Sequence, residues 1–137
     1  MKAPDEIIRQ LMMKNDAFSQ WLGIEIIEIQ HGYCKLQMQV RKEMLNGFYI
    51  AHGGIAYALA DSALAFASNS YGLKAVSIET SISHTESLKE GDIIRAETDE
   101  VHRSNKIAIY HIRVYKMPDK KTVALFKGTV YITNQPW

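Results

Sequence analysis

Apolar and polar positions alternate with a period of two along much of this chain, and helical spacing interrupts that alternation in two places. Ile7, Ile8, Leu11 and Met12 recur at helical spacing behind Pro4, Asp5 and Glu6, which suit a first turn. This predicts a short amphipathic helix ending near Asn15. From Gly23 the rhythm shortens: Ile24 and Ile26, then Ile27 and Ile29, predict a strand with a phase slip. After His31 and Gly32, the set Cys34, Leu36, Met38 and Val40 alternates with polar partners, which makes a hairpin with one buried face. Residues 44–51 read as a loop. Residues 55–67 read as a helix that is apolar almost all the way round, and such a helix must be buried.

Beyond Tyr71 and Gly72, four β-type segments are predicted at about 74–85, 92–102, 106–116 and 122–133. Lys89-Glu90-Gly91-Asp92, Ser104-Asn105 and Pro118-Asp119-Lys120 separate them with ordinary turn chemistry. No helical pattern intervenes, so the strands should pair antiparallel, consecutively or nearly so. Only a curved antiparallel sheet wrapped around the one central helix buries that helix with so little chain, which is an α+β architecture.

Length and composition narrow the function. The 137 residues suit a single domain spanning 1–137, and 47% apolar residues allow a sizeable core. Sixteen basic and fifteen acidic residues leave a net charge of +1, so no long-range field favours nucleic acid or an anionic membrane. The charged residues of the first eighteen positions deny that segment the apolar core of a signal peptide, and no run is long enough to span a bilayer. Cys34 is the only cysteine, so no internal disulfide can form and no thiolate metal site can be built. His31, His84, His102 and His111 fit no metal spacing and read as strand or turn residues. Together these features predict a cytoplasmic protein without metal.

Candidate chemistry concentrates between Asn46 and Ser62. Gly53 and Gly54 open the central helix, where bare backbone N–H groups and the positive end of the dipole favour developing negative charge. They suit an oxyanion hole, or equally a tight turn with close packing. Asp61 lies two turns on, among alanine, leucine, tyrosine and phenylalanine. A buried carboxylate is costly unless partnered, so it marks either a reactive site or a polar contact between subunits. In acyl transfer it would attack the carbonyl or deprotonate water. Gly53 and Asp61 are eight residues apart, on the order of 12 Å along the helix axis, too far to serve one carbonyl. A two-fold axis between antiparallel copies of the helix would set Gly53 of one subunit opposite Asp61 of the other. Catalysis therefore requires at least a dimer.

The stretch from Asn46 to Gly72, with its Asn, His-Gly-Gly and Leu-Ala-Asp signature, strongly resembles the hotdog-fold thioesterases of the phenylacetic-acid-degradation (PaaI-like) branch. The likeness continues through Ala75-Val76-Ser77, Leu88 to Asp92 and Lys121 to Gly128. The resemblance implies hydrolysis of an acyl-coenzyme A, with no cofactor, in a homodimer that commonly pairs into a homotetramer. By position it assigns the nucleophile or general base to Asp61 and the oxyanion N–H to Gly53. Asn46 would also hydrogen-bond the thioester carbonyl, His52 would orient the site near the sulfur, and Ser77 would hold the attacking water. The acyl group, whether aryl, hydroxyaryl or aliphatic, stays open.

Gly54 would help to bind substrate, and Arg103, Lys106 and Lys89 stand in or beside turns where cations could meet the coenzyme A phosphates, or remain exposed hairpin charges. The family's Arg-Gly-Arg-like turn is replaced here by Arg103-Ser104-Asn105-Lys106. Two rival functions remain. An acyl-coenzyme A hydratase or dehydratase would use a His/Asp pair, but no separate Asp-x-x-x-x-His loop is present. A non-catalytic acyl-coenzyme A binding module would have no need of a buried carboxylate beside a thioester.

Overall fold

The computed structural model describes residues 1–137. The N-terminal segment is helical, but it is not one regular helix. Glu6–Met12 winds as wide π-type turns and Met13–Asn15 as a tight 3₁₀ turn, and Ile7 and Ile8 are fully buried. A second short helix, α1 (Ala17–Leu22), follows. The hydrophobic spacing does not predict it, because Phe18 and Trp21 point outward at 58% and 50% exposure. Its ends are nevertheless marked: Asp16 Oδ1 accepts from the Ser19 N–H at 3.0 Å, and Gly23 closes the helix in the left-handed region at φ 74°.

The remaining elements are β1 (Glu25–Gln30), β2 (Tyr33–Gln39), α2 (Gly53–Asn69), β3 (Leu73–His84), β4 (Ile93–Arg103), β5 (Ile107–Lys116) and β6 (Lys121–Pro136). They form one antiparallel sheet in the order β1-β2-β4-β5-β6-β3. The phase slip in the first strand is a bulge at Ile27, where the β1–β2 register shifts between Ile26 and Glu28. Strands β4, β5 and β6 pair consecutively, but β3 does not pair with β4. After β2, α2 crosses the face of the sheet and delivers β3 to the far edge, beside β6. The chain then returns to place β4 against β2. No helix is long and apolar enough to cross a membrane.

The core lies between α2 and the face of the sheet, with α2 packed against β2 to β6. Small residues on the helix let it sit close to the strands: Ala56, Ala60, Ala63 and Ala67 are all buried. The closest approach is at Gly128 of β6. A Cβ built there would lie 2.5 Å from Leu64 Cδ2, inside contact distance of a side chain that is itself 1% exposed. Gly128→Ala is therefore expected to cost about 1–3 kcal/mol through overpacking. Chemical denaturation would register it as a lower midpoint with an unchanged slope.

Two side chains lock α2 to β3. Asn69, in the last turn of α2, donates from Nδ2 to the Ala65 and Ala75 carbonyls at 2.8 and 3.1 Å, while its Oδ1 accepts from the Ala75 N–H at 2.8 Å and from Trp137 Nε1 at 3.0 Å. All of the hydrogen-bonding capacity of its side-chain amide, two donors and two lone pairs, is thus engaged. Nearer the middle of the helix, the Tyr57 hydroxyl bonds Thr80 Oγ1 at 2.6 Å, and its ring meets Phe126 edge-on. Asp61, one turn beyond Tyr57, is consequently held at a fixed place relative to β3.

Candidate active site

The residues expected to perform chemistry fall into two separate clefts. One, of about 420 Å³, is lined by Asn46, His52 and Gly53, together with His84, Glu86 and Leu88. The other, of about 280 Å³, is lined by Asp61 and Ser77, with Leu64, Ser68 and Val76 around them. No residue lines both. The roomiest hollow, about 450 Å³, is a groove across strands β3 to β6 and holds none of these residues. No group of three or more His, Cys, Asp or Glu side chains gathers as a metal-ligand set.

The first cleft is built at the N-terminus of α2. The loop before the helix is closed by a bridge between Leu45 and Ala51. Asn46 Oδ1 accepts from the Phe48 N–H at 2.8 Å and, at 3.5 Å, from the Ile50 N–H. With its oxygen so committed, Asn46 presents its Nδ2 hydrogens as donors. His52 caps the helix: its Nδ1 accepts from the Gly54 N–H at 2.9 Å, which puts the proton of the neutral imidazole on Nε2. Of the two glycines expected to offer bare N–H groups, Gly54 is therefore engaged by its own cap. The Gly53 N–H has no partner within the chain and lies at the positive end of a 17-residue helix.

The second cleft holds a half-buried carboxylate. Asp61 receives no hydrogen bond or ion pair from its own chain, whereas Tyr57, Ser62 and Asn69 on the same helix are all satisfied. Burial lifts its carboxyl above the usual carboxylate range, and the nearby Asp16 charge adds to that shift. A short hydrogen-bonded chain runs from Asp16 to the serine next to Asp61. Asp16 Oδ2 accepts from Ser19 Oγ at 2.6 Å, and Ser19 Oγ lies 2.8 Å from Ser62 Oγ, beside Asp61 in sequence. Asp16→Asn retains an oxygen to cap α1 but removes the charge, so the Asp61 carboxyl should titrate at a lower pH in that variant. Carboxyl ¹³C shifts followed through a pH titration would reveal the change. An unmoved Asp61 titration would leave burial as its only perturbation.

The three cations are not brought together within one chain. Lys89 stands beyond the start of β4 while Arg103 and Lys106 stand at its other end, roughly 30 Å of strand away. Arg103 does not project freely into solvent. Its guanidinium lies 3.7 Å from the Tyr71 ring centroid, and its Nη1 is buried without a hydrogen-bond partner. Glu100 beneath it accepts from the Tyr71 and Tyr110 hydroxyls at 3.1 and 2.6 Å. Lys106 Nζ reaches Asn134 Oδ1 at 3.4 Å.

His84 was not expected at the site. It ends β3, where the sequence reads as an ordinary β-segment, so nothing in the local pattern singles it out. Folding brings that strand end against the start of α2.

Comparison with known proteins places the chain in a family. Residues 48–123, more than half of the chain, match the family model described as the thioesterase superfamily. A relative in Archaeoglobus fulgidus is 44% identical over 130 residues, covering 95% of this chain and 84% of its own. The acyl-coenzyme A thioesterase PaaI of Escherichia coli is 38% identical over 117 residues, covering 85% of this chain and 83% of its own. The solved structure of E. coli PaaI, described as a protein of the phenylacetic acid degradation operon, superposes with a TM-score of 0.89 at 35% identity over 93% of this chain and 91% of that one. A Streptococcus mutans protein solved with acetyl CoA bound superposes with a TM-score of 0.79 at 25% identity, over 83% of this chain and 91% of that one. A curved six-stranded antiparallel sheet around one central helix is the hotdog fold of these proteins, and the chain, a thioester hydrolase, belongs to the thioesterase superfamily.

Proposed function

We propose that the chain hydrolyses an aryl- or hydroxyaryl-acyl-coenzyme A to the free acid and coenzyme A, at a site that two copies of the chain complete. The observation that carries this reading is the division of the chemistry. An unpaired N–H at Gly53 and a half-buried, unpartnered carboxylate at Asp61 occupy different clefts of one chain. A two-fold related copy would set the Asp61 cleft of one subunit against the Gly53 cleft of the other.

The sheet offers an edge for that pairing. Strand β3 is twelve residues long and lies at the edge; Val76 and Ile78 are 55% and 58% exposed, and the four residues from Val76 to Glu79 are exposed in succession. A long apolar edge of this kind calls for a partner strand. A homodimer is the smallest assembly that meets the requirement, and dimers pairing into a homotetramer would keep both sites.

In the reaction, the thioester carbonyl oxygen takes hydrogen bonds from the Gly53 N–H and Asn46 Nδ2, which strengthen as negative charge develops on it. Asp61 of the other subunit either attacks the carbonyl carbon or removes a proton from a water that attacks it, with Ser77 Oγ holding that water. The C–S bond breaks and coenzyme A leaves as the thiolate, near the His52 Nε2–H, which can donate to the sulfur. Water supplies the oxygen of the product acid and the proton of the thiol.

The aryl preference is supported by the operon to which the E. coli relative belongs. Phe48 and Tyr49 also stand exposed, at 83% and 82%, two and three residues from Asn46. The test is release of free thiol from phenylacetyl-coenzyme A, a hydroxyphenylacetyl-coenzyme A and a straight-chain thioester of equal carbon number. Faster release from the aryl pair is expected. Equal or faster release from the straight chain would withdraw the aryl preference, and absence of thiol from all three would withdraw the hydrolase reading.

A further inference from the structure

We propose that His84 is a further hydrogen-bond donor to the thioester carbonyl, acting from the end of β3 on the oxygen that the Gly53 N–H receives. The inference rests on the reading of Gly53 as an oxyanion donor and adds a residue that neither sequence spacing nor the family resemblance assigns.

Three observations carry it. First, the imidazole is close: a Cβ built on Gly53 would find His84 Nε2 at 3.4 Å and Cε1 at 3.6 Å, and no other side chain within 4 Å apart from those of its chain neighbours. A Cβ lies about 2.5 Å from its own backbone nitrogen, so Nε2 is within roughly 6 Å of the Gly53 nitrogen. One oxygen about 2.9 Å from each can bridge that span as a shared acceptor. Second, the histidine is available. Neither of its ring nitrogens has a hydrogen-bond partner in the chain, in contrast to His52, whose Nδ1 is held by Gly54. Third, the one acid that lines the same cleft does not claim it. Glu86, two residues on and lining the same cleft, is ion-paired to Lys121 at 2.9 Å.

The missing Cβ at Gly53 is what leaves this gap open. Helix α2 supplies one donor from its backbone, the loop supplies Asn46 Nδ2, and β3 supplies the imidazole, so the carbonyl oxygen would be met from three independently anchored elements. A neutral imidazole with its proton on Nε2 and an imidazolium both donate from that atom, so the contact does not depend on a change of charge.

The experiment is steady-state kinetics of thiol release for His84→Phe and His84→Gln beside Asn46→Ala, on whichever thioester the wild type hydrolyses fastest, with circular dichroism and light scattering to verify fold and assembly. His84→Phe keeps an aromatic ring and loses the donor; a loss in kcat of about 10² is expected with little change in KM. His84→Gln keeps an N–H donor and should recover most of that loss. In a third variant, His84→Ala, added imidazole should restore part of the rate, which keeps the test valid if the phenylalanine variant assembles badly. Wild-type kcat in His84→Phe with an impaired Asn46→Ala would overturn the role of His84 alone. Wild-type kcat in both would overturn the oxyanion reading beneath it. Equal impairment of His84→Phe and His84→Gln, with no rescue of His84→Ala by imidazole, would reduce His84 to packing.

Discussion

Asp61→Asn should abolish turnover and stabilise the protein at the same time. The catalytic half follows from the assigned role: the amide can neither attack a carbonyl nor take a proton from water, so kcat should fall by about 10² or more while the assembly survives. The stability half follows from the electrostatics. Burial and the neighbouring Asp16 raise the carboxyl's pKa in the folded chain above its value in the unfolded one, so ionisation is penalised only when the protein is folded. Below the ordinary carboxylate pKa both states hold the proton and no penalty exists. As pH rises through the raised value the penalty becomes complete. An asparagine carries none of it, so the variant's melting temperature should exceed that of the wild type at neutral pH, and the gap should close as pH falls. Differential scanning calorimetry at several pH values, paired with thiol-release assays, measures both halves. A folded variant that keeps most of its activity would refute the role of Asp61. A wild type that melts no lower at pH 7 would mean that a partner-chain group compensates the charge.

Two dead proteins should make a live one. In the proposed homodimer, Asp61→Asn would damage the acid in both sites, and Asn46→Ala would damage the oxyanion donor in both of its own. In a heterodimer, the intact Asp61 comes from one chain and the intact Asn46 from the other, so one site is whole and the second is doubly damaged. Random exchange of equal amounts should place half the molecules in heterodimers and restore about a quarter of wild-type activity. Mass spectrometry of differently labelled chains establishes the exchange independently. Demonstrated exchange without returning activity would show that one chain carries its own complete site.

Much of this was legible in the sequence, and what escaped has physical reasons. Strands β2, β4, β5 and β6 were visible because each buries one face, and α2 because its apolar surface goes all the way round; its observed ends, Gly53 and Asn69, extend the predicted span by two residues on each side. The bulge at Ile27 was visible as a break in alternation. Pairing was less legible, since alternation says which face of a strand is buried but not which neighbour it has, and the placement of β3 beyond β6 depends on the path of α2. Helix α1 is too short to show an apolar face and was announced only by Asp16 and Gly23. Arg103 read as an exposed cation because its stacking on Tyr71 is a contact between residues 32 positions apart. Gly53 and Asp61 stood out by residue type in an unlikely setting, whereas Asn46 was singled out by the family resemblance. His84, an ordinary residue in an ordinary strand, gains its interest only from the glycine it faces.

The absence of any shared residue between the two clefts also bears on how the activity depends on amount. A complete site would be a property of a pair of chains, so in solution dilute enough for pairs to separate, the initial rate should grow with the square of the protein concentration before becoming linear. Halving the supply of chain in that regime would quarter the output. A modest change in expression would therefore act as a steep control on hydrolysis, without any effector or modification.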